Sequence, residues 1–222
     1  MEGSRAVPGD ALPEAQAAPR RRARRGRVLR ILGIVFLLAA VSIGGYLGWL
    51  LWGTGLTTRR AQSDLRQGFE SRIATQDPSA GPSADEVVKI PGRAVAILVI
   101  PRMDLDMVVV EGTGTESLKK GPGHYTRTAY PWEDSGRVGI AGHRTTYGAP
   151  FWDLDKLREG DPITLETEFG VFEYRVTQHR IIVPSESWVL DQTKQPTLVL
   201  TTCNPRFSAA QRLVVFADRV GG

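Results

Sequence analysis

The sequence predicts a mainly β domain, of barrel or sandwich type with short helices, behind a single membrane-spanning helix. Three observations carry this expectation. Seven runs rich in Val, Ile, Leu, Thr and aromatic residues fall between residues 94 and 220, and gaps rich in Gly and Pro separate most of them. In "VFEYRVT", Val171, Glu173, Arg175 and Thr177 alternate with Phe172, Tyr174 and Val176, the period of a half-buried strand. Near the N-terminus, the run Ile31–Trp52 holds 22 residues without a charge.

The β runs are "AVAILVI", "MVVVEG", "RVGIAG", "DPITLET", "VFEYRVTQHRIIV", "TLVLTT" and "RLVVFADRV". "AILVI" and "TLVL" lack polar alternation and read as strands buried on both faces. Helical material within this region is confined to "TESLKK" and "FWDLDKLREG", and no internal repeat is visible.

Composition divides the chain into four parts. Residues 1–27, rich in Ala, Pro, Gly and Arg, read as a disordered basic cytoplasmic tail. Residues 28–52 read as a transmembrane anchor. As a helix rising about 1.5 Å per residue, the uncharged run reaches about 33 Å, enough for a hydrocarbon core of roughly 30 Å. Tyr46, Trp49 and Trp52 gather at its far end, where aromatic belts sit. A cleaved signal peptide would have a shorter apolar stretch and small residues at its end. This run ends in Trp-Leu-Leu-Trp. Arg20, Arg21, Arg22, Arg24, Arg25, Arg27 and Arg30 should stay cytoplasmic, which puts the body of the protein outside the cell. Residues 53–92 read as stalk and linker. Leu65, Phe69 and Ile73 recur at helical spacing, and "DPSAGPSADE" follows as a flexible segment. Residues 93–222 form a domain of ordinary size.

The net charge of +4 is unevenly held. Residues 1–30 carry eight arginines against three acidic residues, while the rest of the chain carries 20 Lys and Arg against 21 Asp and Glu. A nucleic-acid-binding domain would place its basic patch on the folded part, so nucleic acid is not an expected partner.

The single cysteine, Cys203, ends the run "TLVLTT". Outside the cell a lone thiol has no internal disulfide partner, which suggests an intermolecular bond or a reactive site. A thiol nucleophile needs a base and a stabiliser for the oxyanion. His143 lies where a strand meets the loop "GHRTTYGAPF", His124 lies in the turn "GPGHY", and His179 lies within the longest strand run. Spacing alone does not choose among them. Arg212 stands nine residues after Cys203. If "TLVLTT" and "RLVVFAD" are neighbouring strands, both residues lie at one end of the sheet, where a guanidinium can donate hydrogen bonds to a carbonyl or an oxyanion. The plain alternatives are a buried core cysteine and a surface arginine.

"TLVLTTC" followed by Arg212 resembles the signature of sortases, the membrane-anchored cysteine transpeptidases of Gram-positive bacteria. "AGHRTTYGAPFWDL", "ILVIPRMDLDMVVVEG" and "GPGHY" are similar to further segments of that family, in consistent order over about residues 93–220. "GHRTTYGAPF" with "LTTCNPRFSAAQR" most resembles the class E housekeeping enzymes of actinobacteria. "YPWEDSGRVG" departs from the pattern, which there reads closer to Pro-Gly-Glu-x-Gly-Asn, and should alter a loop.

The resemblance implies a closed β-barrel of about seven to eight strands. It implies Cys203 as nucleophile, His143 as catalytic histidine and Arg212 as oxyanion or substrate clamp. The implied reaction cleaves a C-terminal sorting signal of the LAxTG or LPxTG kind between Thr and Gly, then joins the cargo to a cell-wall or pilin amine. Tyr125 is a candidate for reading the alanine of the signal, because a hydroxyl can bond the N–H that proline lacks. Thr201 and Thr202 either line the substrate groove or shape the strand. Neither a cofactor nor a metal is expected. Glu166, Glu168 and Glu173 are close in sequence, but nothing marks them as ligands. Two other readings remain: an anchored peptidase that hydrolyses its thioester, and a non-enzymatic wall-binding module.

Overall fold

Alternation along the β runs becomes a barrel with an inside and an outside. The structure, a computed structural model, describes residues 20–75 and 90–221. Eight strands are present: β1 Ala94–Ile100, β2 Leu105–Glu111, β3 Gly123–His124, β4 Arg137–Ala141, β5 Pro162–Thr167, β6 Gly170–Ile182, β7 Thr197–Asn204 and β8 Gln211–Arg219. They close in the order β1-β2-β3-β4-β7-β8-β6-β5, with β5 returning to β1. Pairing is antiparallel except at β2–β3 and β4–β7. Seven strands cover the expected runs. The eighth, β3, is two residues long, too short for a period of two to reveal it.

Side-chain parity sorts the two faces. Leu198 and Leu200 of β7, Val138 and Ile140 of β4, and Leu213, Val215 and Ala217 of β8 join the main core inside the barrel. Val199, Val214 and Phe216 point the other way and pack with Ile182 and Val189. The loop between β6 and β7 therefore covers that part of the outer wall, and both faces of β7 are dry, as its unbroken apolar run implied. On β6, Phe172, Tyr174 and Val176 are buried while Val171, Glu173 and Arg175 are exposed, following the alternation in the sequence.

"FWDLDKLREG" forms a 3-10 turn at Leu154–Lys156 where a longer helix was expected. Phe151, Leu154 and Leu157 all enter the core, and their spacing of three suits 3-10 geometry better than an α-helix. "TESLKK" forms a single helical turn, Thr115–Leu118.

The chain divides between Tyr46 and Leu47. The helix α1, Arg20–Gly48, belongs to the first unit up to Tyr46 and there exposes Ile31, Leu32, Ile34, Val35, Phe36, Leu37 and Leu38. Among the described residues, the helical stretch that starts at Gly26 is the one long and apolar enough to cross a membrane. Its α geometry ends at Gly48, and Trp49–Gly53 form a π turn.

In the second unit, Thr54–Thr75 form α2. Leu65, Phe69 and Ile73 fall on one face and meet Ala94, Ile97 and Val108 of the barrel wall. Gln62 pairs with the Val108 backbone in both directions, donating to its carbonyl at 2.9 Å and accepting its N–H at 2.7 Å. Arg72 donates to Glu168 at 2.5 Å and to the Ala94 carbonyl at 3.1 Å. The helix expected in the stalk therefore lies docked along β1 and β2. The tail before Arg20 and the linker "DPSAGPSADE" lie outside the described residues.

Candidate active site

The order β4-β7-β8 sets three strand ends side by side. β7 and β8 are antiparallel, and Cys203 stands opposite Arg212. Both follow the outward parity of Val199 and Val214, so the thiol and the guanidinium belong to the outer wall of the barrel. β4 runs parallel to β7, with Ala141 level with Thr201. Extending that register by two residues sets His143 level with Cys203.

The extension is held by named bonds. Gly142 donates its N–H to the Thr201 carbonyl at 3.0 Å, and Thr202 donates its hydroxyl to the Gly142 carbonyl at 2.7 Å. A Cβ at Gly142 would stand 2.6 Å from the Phe151 ring, so the chain passes there only without a side chain. The loop then folds back, and Phe151 donates its N–H to the His143 carbonyl at 3.1 Å.

His143 is half-buried. Loss of solvent holds its pKa below the ordinary histidine value, so the neutral imidazole is favoured. Its Nε2 is buried and makes no hydrogen bond among the described residues, which leaves a ring nitrogen uncommitted. Cys203 is a half-buried free thiol. Arg212 donates from Nη1 to the carbonyls of Ala209 and Gln211, both at 3.0 Å, so its fork lies over the β7–β8 turn.

Thr201 and Tyr125 belong together, with their hydroxyls 3.0 Å apart. The Tyr125 ring lies across β4 at Gly139, where a Cβ would come within 3.0 Å of it. Thr201 and Thr202 are both buried. The Thr202 hydroxyl is spent on the Gly142 carbonyl.

His124 is not in a turn, as its sequence context suggested, but on a short strand. It is 1% exposed, on β3, between β2 and β4. Its Nδ1 lies 3.1 Å from a Glu111 carboxylate oxygen and its Nε2 lies 3.0 Å from the Ala129 carbonyl. Both ring nitrogens are used within the wall. His179 lies on β6 level with Val215, three residues before Ile182, which pairs with Arg212.

Three residues that sequence reasoning missed tie the histidine segment to the cysteine turn. Arg144 is buried. It donates to the Cys203 carbonyl at 3.3 Å and to the Asn204 side-chain oxygen at 2.7 Å, and it pairs with Asp155 at 3.2 Å. Arg206 meets the same Asp155 at 3.1 Å and stacks 4.6 Å above the Trp152 ring. The one signal was position: Arg144 follows His143 directly, but a lone arginine in a loop reads as a surface residue.

Taken together, these strand ends carry a half-buried thiol, an imidazole with an unbonded ring nitrogen and a forked cation. Such a set can attack a carbonyl, pass a proton and hold an oxyanion.

The family model described as the sortase domain matches residues 98–220, more than half of the chain. Sortase SrtE1 of Streptomyces coelicolor is 31% identical over 206 residues, covering 86% of this chain. The chain spans 57% of that relative's length. Among solved structures, a Clostridium perfringens sortase D5 transpeptidase superposes with a TM-score of 0.63 at 26% identity, covering 73% of this chain and 99% of that one. Sortase E1 from Streptomyces coelicolor, solved with a tripeptide in its active site, gives 0.56 at 34% identity, covering 60% and 92%.

Proposed function

This chain belongs to the sortase family of cysteine transpeptidases, and from that premise we propose that it is a membrane-anchored enzyme that transfers sorting-signal proteins to an amine. The observation that supports the reading is that Cys203 stands opposite Arg212, while Ala141, two residues before His143, stands level with Thr201, two residues before Cys203. The substrate class is a C-terminal signal of the LAxTG or LPxTG kind. The Cys203 sulfur attacks the threonine carbonyl carbon and the oxygen becomes an oxyanion. Arg212 leaves the Ala209 and Gln211 carbonyls and donates to that oxyanion. His143, having taken the thiol proton, gives a proton to the departing glycine nitrogen as the C–N bond breaks. A thioester on Cys203 remains. An amine from a cell-wall precursor or a pilin attacks it, His143 accepts the amine's proton, the C–S bond breaks to leave an amide on the threonine, and His143 returns a proton to the Cys203 sulfur.

Tyr125, held against Thr201, is the proposed reader of the alanine position in an LAxTG signal. Residues 93–222 are the proposed catalytic domain and 28–52 the anchor, with 1–27 in the cytoplasm and the barrel outside. The test is direct. The full chain in detergent micelles is incubated with LAxTG and LPxTG peptides, with and without an added amine, and the products are weighed by mass spectrometry. An amide between the threonine and the added amine is expected, absent in Cys203→Ala. Hydrolysis alone, unchanged by amine, would move the assignment to a peptidase. No cleavage of either peptide would return it to a binding module.

A further inference from the structure

The helix that follows the apolar segment reaches the histidine loop. Thr54, in the first turn of α2, is 6% exposed and accepts the Tyr147 N–H on its hydroxyl oxygen at 3.0 Å. The same hydroxyl donates back to the Leu50 carbonyl at 2.9 Å, so both of its roles are filled. Thr58, 1% exposed, donates to the Lys119 carbonyl at 2.8 Å and anchors this turn to the segment before β3. Gly55 and Thr58 leave a shallow surface: a Cβ at Gly55 would touch Gly148 at 3.7 Å, and one at Gly148 would touch Thr58 at 3.6 Å. The tip of the histidine loop rests on small residues of a helix well outside the sequence of the barrel.

That tip is not a relaxed turn. Tyr147, Gly148 and Ala149 all have left-handed backbones, with φ of 52°, 77° and 47°. Only the glycine adopts this readily, so two residues with side chains are held where the free chain disfavours them. Ala149 is held by bonds within the loop, donating to the Thr146 carbonyl at 2.9 Å and accepting from the Trp152 N–H at 3.0 Å, while the Tyr147 N–H is held from outside it, by Thr54. The consequence falls on the imidazole. The Tyr147 ring lies 4.9 Å from the His143 ring, tilted by 35°, and forms part of the cover over it.

We propose that Thr54 and Tyr147 are positioning residues for His143, so that α2 is a working part of the active site and not a spacer between membrane and enzyme. The inference rests on the reading of His143 given above. Neither residue touches the reacting atoms. Thr54 fixes the backbone of Tyr147, and Tyr147 fixes the plane and cover of the imidazole.

The test uses the full chain in detergent with the peptide and amine of the preceding assay. Thr54→Val keeps the shape and removes the acceptor, and Thr54→Ser keeps the acceptor. Thr54→Val is expected to lower kcat about ten-fold or more with KM within about two-fold, because the groove is intact and the proton carrier is misplaced. Thr54→Ser should recover most of the loss. Tyr147→Gly guards against a folding explanation. It relieves the strained backbone, so the melting temperature should hold or rise, while the loss of the ring lowers kcat. Unchanged kcat in Thr54→Val or in Tyr147→Gly overturns the proposal, and so does equal loss in Thr54→Val and Thr54→Ser. Cys203→Ala, run beside them, separates the two levels. If it is inactive and Thr54→Val is normal, only this inference falls. If it is active, the reading of the site falls first.

Discussion

Arg212 shows how a residue's resting bonds bear on its proposed task. Its Nη1 is occupied by two carbonyls of its own turn, each at 3.0 Å, and both are solvent-side contacts that a better acceptor can displace. An oxyanion is a stronger acceptor than a neutral carbonyl. A guanidinium offers a planar fork, and a lysine ammonium keeps the charge without it. Arg212→Lys is therefore expected to lose about 10²–10³ in kcat/KM, close to the loss in Arg212→Ala. If the lysine variant keeps most of its activity, the residue acts through its field alone. The histidines carry a second residue-scale prediction. Burial holds His143 and His179 below the ordinary value of 6.5. The unfolded chain then binds more protons than the folded one once pH drops below about 6.5. Stability is present above that value and declines on acidification until the lower folded values are passed. Asp161, held low by its bond to Arg102, adds its own loss only below the ordinary carboxylate value of 3.8. The melting temperature should fall between pH 7.5 and 5, and His143→Gln should flatten part of that slope. A parent protein with no change over that range would contradict the buried neutral imidazole.

At the scale of elements, what the sequence disclosed depended on whether a feature was periodic. The runs of β1, β6 and β7 announce themselves because burial on one face leaves a period of two, as in β6, and burial on both leaves an unbroken apolar run, as in β1 and β7. The face of α2 is legible for the same reason, through Leu65, Phe69 and Ile73. What that face packs against was not legible, since period gives direction but no partner. A stalk and a docked helix have the same amphipathic pattern. β3 was missed because two residues cannot show a period, and with it went the burial of His124. Arg144 was missed because burial of an arginine is decided by its acceptors, the Cys203 carbonyl, Asn204 and Asp155, which lie on other parts of the chain. Docking of α2 has a measurable consequence. Phe69 is fully buried between α2 and the β1–β2 wall. Phe69→Ala should cost about 3–5 kcal/mol, the usual range for a buried aromatic, most of it as loss of the helix from the wall. Amide exchange of residues 54–75 should then accelerate while β7 and β8 keep their protection. Uniform acceleration across the barrel would mean that α2 and the barrel unfold as one unit.

For the whole molecule, the decisive asymmetry is in charge. Seven arginines lie between residues 20 and 30, immediately before the apolar run, and the first charged residues after it are Arg59 and Arg60. Arginines close to the end of a spanning helix resist translocation, so we propose that the end that carries seven of them stays in the cytoplasm. The opposite orientation would carry all seven across and leave a near-neutral barrel behind. A chain inserted this way sends residues 53–222 outside. There a lone thiol meets an oxidising environment, where a second cysteine would invite a disulfide, and Cys203 has none within the chain. In the proposed reaction both the sorting signal and the wall or pilin amine are met outside the cell, the side on which the proposed orientation puts the barrel. Protease added to intact protoplasts should therefore digest the barrel. An epitope placed at the N-terminus should stay protected until the membrane is opened. Changing Arg20, Arg21, Arg22, Arg24, Arg25, Arg27 and Arg30 together to Gln should raise the fraction of chains with the N-terminus outside. A protected barrel in the parent protein would reverse the orientation, and with it the wall-linked acceptor.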